Sequence, residues 1–90
     1  MSNFVSIARV SHIPVGAELA EFHAAHKDLF GDAVGAITVL KDPNDANQIA
    51  VVGEVHDLDK MRAISRSPEG DAVMRKYGFV EQLSYFVEEA

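Results

Sequence analysis

Four short apolar segments rich in β-branched residues, separated by two stretches with helical spacing, constrain the fold of this chain most strongly. The strand-like segments are "FVSIARV" (4–10), "AVGAITVL" (33–40), "IAVVGEV" (49–55) and "VEQLSYFV" (80–87). Only the polar segment "KDPNDANQ" (41–48) separates the middle two, which predicts a hairpin with Pro43 in its turn. The predicted order is therefore strand, helix, strand, strand, helix, strand.

The two helical segments differ in continuity. Residues 17–30 carry apolar side chains at steps of three and four, and Gly31 follows them as a common helix terminator. The second segment is interrupted by "SPEG" (67–70), where we expect Ser67 to cap a new start with Pro68 in its first turn. The second helix is thus predicted to be broken near Ser67–Pro68.

This order predicts one α+β domain over residues 1–90, of the ferredoxin-like βαββαβ type, with a four-stranded antiparallel sheet and two helices on one face. The first and third strands are expected side by side in the centre. The alternating positions expected to face the helices are Val5, Ile7, Ile37, Val39, Ile49, Val51, Val55, Leu83, Tyr85 and Val87. The opposite set is Phe4, Ser6, Ala8, Val10, Ala36, Thr38, Leu40, Ala50, Val52, Val80, Gln82, Ser84 and Phe86. Because this second set is too apolar to face water, we expect a second copy of the chain to cover it, forming a homodimer.

Composition and charge argue against several classes of function. The formal net charge of −6 disfavours nucleic-acid binding, which needs a clustered basic surface. Basic residues do gather over 60–76, but acidic ones are interleaved with them, which is typical of a solvated helix surface. No apolar run approaches the roughly 20 residues of a membrane span, and the absence of cysteine fits a reducing compartment. We therefore expect a cytoplasmic protein without nucleic-acid or membrane partners.

His26 is the most informative residue for function, because it lies on the apolar face of the first predicted helix with Phe22. A buried imidazole left without a hydrogen-bond partner costs about 1–3 kcal/mol. One interpretation is a core histidine bonded to a backbone carbonyl or a hydroxyl group. The other is that His26 lines a pocket between helix and sheet, as a hydrogen-bond donor or general base for a small organic ligand. In that case His26, Phe22, Arg9 and Tyr85 are the candidate ligand-binding residues, although Arg9 could instead extend into solvent.

A metal site is not expected at the histidines. His23 and His26 form an H-x-x-H pair on one side of a helix, but zinc needs a third and usually a fourth ligand. His12 follows the first strand and His56 the third, and these antiparallel strands end at opposite edges of the sheet, so the four histidines cannot converge. No glycine pattern for phosphate binding is present either, so we expect no cofactor.

The segment "GEVHDLDKMRAISRSPEG" (53–70) resembles a run in antibiotic-biosynthesis-type monooxygenases and their stress-responsive relatives, which are members of the dimeric α+β barrel superfamily. In those proteins a strand ends in Glu-x-aromatic, an acidic stretch opens a helix, and Ser-Pro precedes its second half. Glu54, Asp57 and the Ser67–Pro68 pair match this run. The resemblance implies a dimer in which two sheets pack face to face.

Two positions depart from the family's run. The aromatic position is His56, and the histidine that many relatives carry on the second helix falls at Ile64 or Ser65. The resemblance implies a small-molecule-binding protein whose activity would be that of a cofactor-independent monooxygenase, cyclase or isomerase. Two other classes stay open: a non-enzymatic ligand-sensing module of the ACT-like type, and a structural or assembly domain.

Overall fold

A computed structural model describes residues 2–89 and shows the predicted order of elements. Its elements are β1 (Ser2–Val10), α1 (Gly16–Phe30) with a 3₁₀ turn after it (Gly31–Ala33), β2 (Val34–Asp42), β3 (Asp45–Val55), α2 (Leu58–Ser65), α3 (Pro68–Lys76) and β4 (Phe79–Val87). The four strands form one antiparallel sheet in the order β2-β3-β1-β4, so the predicted central pair is confirmed. Within the described residues, no helix is both long enough and apolar enough to cross a membrane.

The β2–β3 hairpin is longer than the sequence predicts. Only Pro43 and Asn44 separate the two strands, whereas a polar turn was expected over 41–48. The Asp42 carboxylate accepts hydrogen bonds from the Asn44 backbone N–H at 2.8 Å and from the Gln48 side chain at 3.0 Å. These bonds hold the polar strand ends together, which explains why a polar segment extends the ladder rather than forming a loop.

Side-chain caps start both halves of the second helical segment, so the predicted break is confirmed. Asp57 accepts a hydrogen bond from the Lys60 backbone N–H at 3.1 Å and thereby begins α2. Ser67 accepts one from the Gly70 N–H at 3.0 Å and donates to the Ile64 carbonyl at 2.6 Å, which joins the end of α2 to the start of α3. Position 70 requires glycine, because a Cβ there would collide with the Ile64 carbonyl oxygen.

The sheet faces agree with prediction on β2 and β3 but are reversed on β1. Ala8 is 2% exposed and pairs in register with Ile49, which is 1% exposed and faces the helices. The helix-facing residues of β1 are therefore Phe4, Ser6, Ala8 and Val10. Val5, Ile7 and Arg9 lie on the open face of the sheet, opposite to the predicted side.

This reversal has a physical cause. Both alternating sets of β1 are apolar enough to be covered, so alternation alone does not determine which set faces the helices. The sequence pattern favours the set that contains Val5 and Ile7 for the core, because that set is richer in β-branched residues. The structure instead turns the small side chains of Ser6 and Ala8 toward the helices, where they leave space beneath the helical layer.

The open face carries an apolar patch. By register its members are Val5, Ile7, Leu40, Ala50, Val52 and Phe86. Phe86 is 60% exposed and Leu40 is 49% exposed. Leu83, expected on the helix side, is 41% exposed and is an extra residue at an irregularity in the β1–β4 register.

Candidate functional site

A cavity of about 230 Å³ lies between the helices and the β1–β4 half of the sheet. The residues of its inner wall are Phe4, Ser6, Ala8, His26, Phe30, Val51, Met61 and Tyr85. Since an apolar cavity of about 150 Å³ is enough to bind benzene, this one has room for a substituted ring or two fused rings. The small side chains that β1 turns inward form part of its floor.

His26 is the buried polar side chain of this core, with 6% of its surface exposed. Its ring stacks on Phe30 with centroids 4.4 Å apart, and Phe22 contacts it edge-on at 5.8 Å. Within residues 2–89, the side-chain hydrogen bonds made by histidines all belong to His12. No completely enclosed side-chain nitrogen or oxygen in that range lacks a partner, so the His26 nitrogens are not sealed inside the protein, and His26 lines the cavity. Within the described residues, His26 makes no bond to a backbone carbonyl or a hydroxyl group, the feature on which the core-histidine interpretation depends.

The buried imidazole is neutral at pH 7. Burial, and secondly the charge of nearby His23, lower the pKa of His26 from 6.5 to about 4. A neutral imidazole has one N–H donor and one acceptor nitrogen. His26 therefore offers the cavity both kinds of hydrogen bond without bringing a charge into it.

Two further polar groups face this space. Burial raises the pKa of Tyr85, with the charge of Arg62 opposing the shift, so the phenol remains protonated and can donate a hydrogen bond. Its present partner is the Met61 sulfur at 3.7 Å, a weak acceptor. On the floor, the Gln82 side chain donates to the Ser6 hydroxyl at 2.8 Å, which leaves the hydroxyl hydrogen free to donate elsewhere.

The structure brings together two of the four predicted ligand-binding residues. His26 and Tyr85 line the same cavity. Phe22 is fully buried and lies behind His26, where its ring packs 5.5 Å from that of Phe79, so it supports the wall without forming it. Arg9 lies on the opposite face of the sheet, because the phase of β1 differs from the prediction.

Sequence reasoning missed the arginines at the cavity mouth. Arg62, Arg66 and Arg75 all line it, whereas the basic residues of this region were interpreted as a solvated helix surface. A signal was present in the spacing, because Arg62 and Arg66 are four residues apart and share a helix face. Arg62 also directly follows Met61, whose buried side chain marks the inner side of α2.

His26 also borders a second cavity of about 440 Å³ at the sheet edge formed by β2. Its wall includes His23, Lys27, Asp32 and His56. Most of these side chains are solvent-exposed, and no three metal-binding side chains of residues 2–89 are grouped to hold an ion. The first cavity is the stronger candidate site because buried core residues form its inner wall.

The fourth histidine lies away from both cavities. His12 Nε2 is 2.9 Å from a Glu18 carboxylate oxygen, and its Nδ1 is 3.1 Å from the Ser11 hydroxyl. All three side chains are at the surface, and none lines a cavity described above. This chain of hydrogen bonds connects the β1–α1 loop to the start of α1.

No family model and no curated protein matches the chain. Solved structures match it over nearly its whole length. An antibiotic biosynthesis monooxygenase is 8% identical, with a TM-score of 0.58 and 100% of this chain and 98% of the other covered. SnoaB, a cofactor-independent oxygenase from Streptomyces nogalater, is 16% identical, with a TM-score of 0.56 and coverage of 99% and 91%. A conserved protein from Methanosarcina mazei Go1 is 12% identical, with a TM-score of 0.52 and coverage of 97% and 89%.

Identities this low establish the fold alone. Both the element order and the broken second helical segment agree with the resemblance found in residues 53–70. The chain has the α+β fold of the antibiotic biosynthesis monooxygenase structures.

Proposed function

We propose that this protein binds a small organic molecule of one or two rings in the cavity beside His26. One observation carries the proposal: His26 is 6% exposed, has no hydrogen-bond partner among the described residues, and borders a cavity large enough for such a ring. The His26 nitrogens are not sealed inside the protein and bond to no protein group, so they are free to bond to a ligand held in this cavity.

We further propose that the bound molecule is a substrate, converted by a cofactor-independent oxygenase, cyclase or isomerase reaction. Neutral His26 can accept a proton from an acidic O–H or C–H group of the ligand. The resulting anion would lie beside the imidazolium and raise the pKa of His26, which offsets the effect of burial. The Tyr85 hydroxyl can donate a hydrogen bond to the developing negative charge in the same cavity.

The likeness to SnoaB supports this reaction class. SnoaB is described as a cofactor-independent oxygenase and shares the fold over 99% of this chain. The proposal for binding depends on the cavity of this protein, whereas the proposal for reaction class depends on that analogy of fold. The two are therefore tested separately.

The open face of the sheet supports a proposed homodimer. Phe86 and Leu40 are among its most exposed large apolar side chains, and they border half-buried Val5, Ile7 and Val52. Contiguous apolar patches of this kind usually mark an interface. A second copy presenting the same face would remove the patch from water and leave the cavity on the outer, helical side.

Ligand-dependent thermal stabilisation tests the binding proposal. We would screen one- and two-ring phenols against the parent, His26→Leu and the control His23→Leu, which changes a histidine one turn away that does not line this cavity. A ligand at 100 times its Kd stabilises the folded state by about 2.7 kcal/mol. We expect the parent and His23→Leu to be stabilised and His26→Leu to lose the effect. Equal stabilisation of all three proteins would contradict the proposed site.

Turnover tests the reaction class. The parent would be incubated in air with each stabilising compound, without added metal or coenzyme, and the products identified by mass spectrometry. A mass gain of oxygen indicates an oxygenase, and an isomeric product indicates a cyclase or isomerase. Unchanged ligand in every case would contradict the enzymatic proposal and leave binding as the function.

A further inference from the structure

The mouth of the cavity carries positive charge, although the chain as a whole has a formal net charge of −6. Arg62, Arg66 and Arg75 line this mouth, with Asp71 and Glu81 as the carboxylates beside them. Arg62 lies in α2, Arg66 is the capping residue that follows α2, and Arg75 lies in α3. The inner wall, by contrast, is mostly apolar.

Two of these arginines form no ion pair with a carboxylate of residues 2–89. Arg75 Nε donates to Asp71 Oδ2 at 2.9 Å, so those two charges are paired. Glu81 makes no salt bridge within the described residues. Within residues 2–89, neither Arg62 nor Arg66 makes a salt bridge. Their charges are available to a ligand.

Arg62 lies near a residue of the inner wall. Arg62 lies close enough to Tyr85 to oppose the effect of burial on the pKa of that phenol. Tyr85 contacts Met61 and forms part of the inner wall with His26. A ring held against this wall can therefore extend an acidic substituent toward the arginines.

We propose that the cavity selects ring compounds that carry a carboxylate, with the ring beside His26 and the carboxylate at Arg62 and Arg66. A guanidinium group is planar and matches a carboxylate with two parallel hydrogen bonds. Arg62 and Arg66 thus distinguish ring compounds that carry a carboxylate from neutral ones, which the apolar wall does not do. This inference rests on the proposed function and adds the chemical class of the ligand.

Two probes with the same rings and different charge test the inference. 2-Naphthoate carries a carboxylate, and 2-naphthalenemethanol is its neutral counterpart. Their affinities would be measured by calorimetry for the parent, the Arg62→Gln/Arg66→Gln double variant and the control Lys60→Gln. Lys60 is exposed on α2 and does not line the cavity, so its substitution removes a charge from the same helix without changing the mouth.

We expect the parent to prefer the acid by about tenfold, and the double variant to lose about five- to tenfold in affinity for the acid alone. Lys60→Gln should leave both affinities within about twofold, since exposed charges away from the ligand are screened. Raising salt from about 50 to 500 mM should weaken binding of the acid and leave that of the alcohol unchanged.

The outcomes separate this inference from the proposed function. Equal affinity of the parent for the acid and the alcohol would overturn charge selection while supporting ring binding in the cavity. A loss of acid affinity in Lys60→Gln as large as in the double variant would also overturn it, because the effect would then be one of net charge. Failure of the parent to bind either probe would overturn the proposed function together with the inference.

Discussion

The His26 ring stacks on the Phe30 ring with centroids 4.4 Å apart and 30° between the ring planes. This contact explains how a polar ring is accommodated on the apolar side of α1. The flat face of the imidazole packs against hydrocarbon, whereas the nitrogens lie on the ring edge and are not sealed inside the protein. Packing and ligand recognition therefore use different parts of one side chain.

Leucine at position 26 should leave the empty protein folded and about as stable as the parent. His26→Leu removes no protein hydrogen bond, and leucine suits an apolar wall. We expect the free energy of unfolding in urea to stay within about 1 kcal/mol of the parent, or to increase. A loss of about 2–3 kcal/mol would indicate a structural hydrogen bond and contradict the description of His26 as a cavity residue.

The stability of the parent should depend on pH through His26. Because burial holds the pKa of His26 at about 4 against 6.5 in an unfolded chain, the unfolded state binds the extra proton between these values. Stability should therefore fall as pH decreases from 6.5 to about 4, by about 3 kcal/mol at most for this one group.

The His26→Leu variant isolates this contribution. The other histidines and the carboxylates are common to both proteins, so their effects cancel when urea unfolding of the two is compared across the pH range. We expect the stability difference to shift in favour of the variant as pH falls. Parallel pH profiles would show that His26 is not held neutral by burial.

Much of the fold follows from the sequence, because its signals are local. The break at Ser67–Pro68 is encoded by a capping serine followed by proline, and Gly31 terminates α1 with a φ of 53°. The placement of His26 follows from helical periodicity, since it is one turn from both Phe22 and Phe30. Each of these features requires only a few neighbouring residues.

The parts that were not predictable depend on tertiary contacts. The sequence does not determine which alternating set of β1 faces the helices, because either set could be buried. The prediction chose the wrong set and therefore placed Arg9 on the helix side, whereas it lies on the open face of the sheet. Arg62 and Arg66 look like ordinary solvated residues until α2 is placed over the mouth of the cavity. Ser6 and Ala8 line the cavity because the same phase of β1 turns them toward the helices.

Alanine at position 70 should strongly destabilise the fold. In Gly70→Ala the new Cβ would collide with the Ile64 carbonyl, and the movement needed to relieve this would disturb the Ser67 cap. We expect a loss of about 2 kcal/mol or more in urea unfolding. The neighbouring exposed change Glu69→Ala serves as control, with an expected effect of about 0.5 kcal/mol or less. Equal effects of the two would contradict the tight junction between α2 and α3.

A charge on the open face should dissociate the proposed dimer. Val52 pairs with Val5 in the centre of the sheet, so Val52→Glu would bury an unpaired carboxylate in the interface. We expect sedimentation velocity to show a dimer for the parent and a monomer for Val52→Glu. Ala24→Glu, on the exposed side of α1, should remain dimeric. A parent that sediments as a stable monomer would contradict the interface.

The most direct test of the central claim, that His26 lines a ligand-binding cavity, is a titration followed by the imidazole Cε1–Hε1 signals in NMR spectra. The chain has four histidines, so four signals report on His12, His23, His26 and His56 separately. On addition of 2-naphthol, we predict a saturable shift that is largest for His26 and negligible for the distant His12. A His26 signal that stays constant, or moves no more than that of His12, would contradict the account.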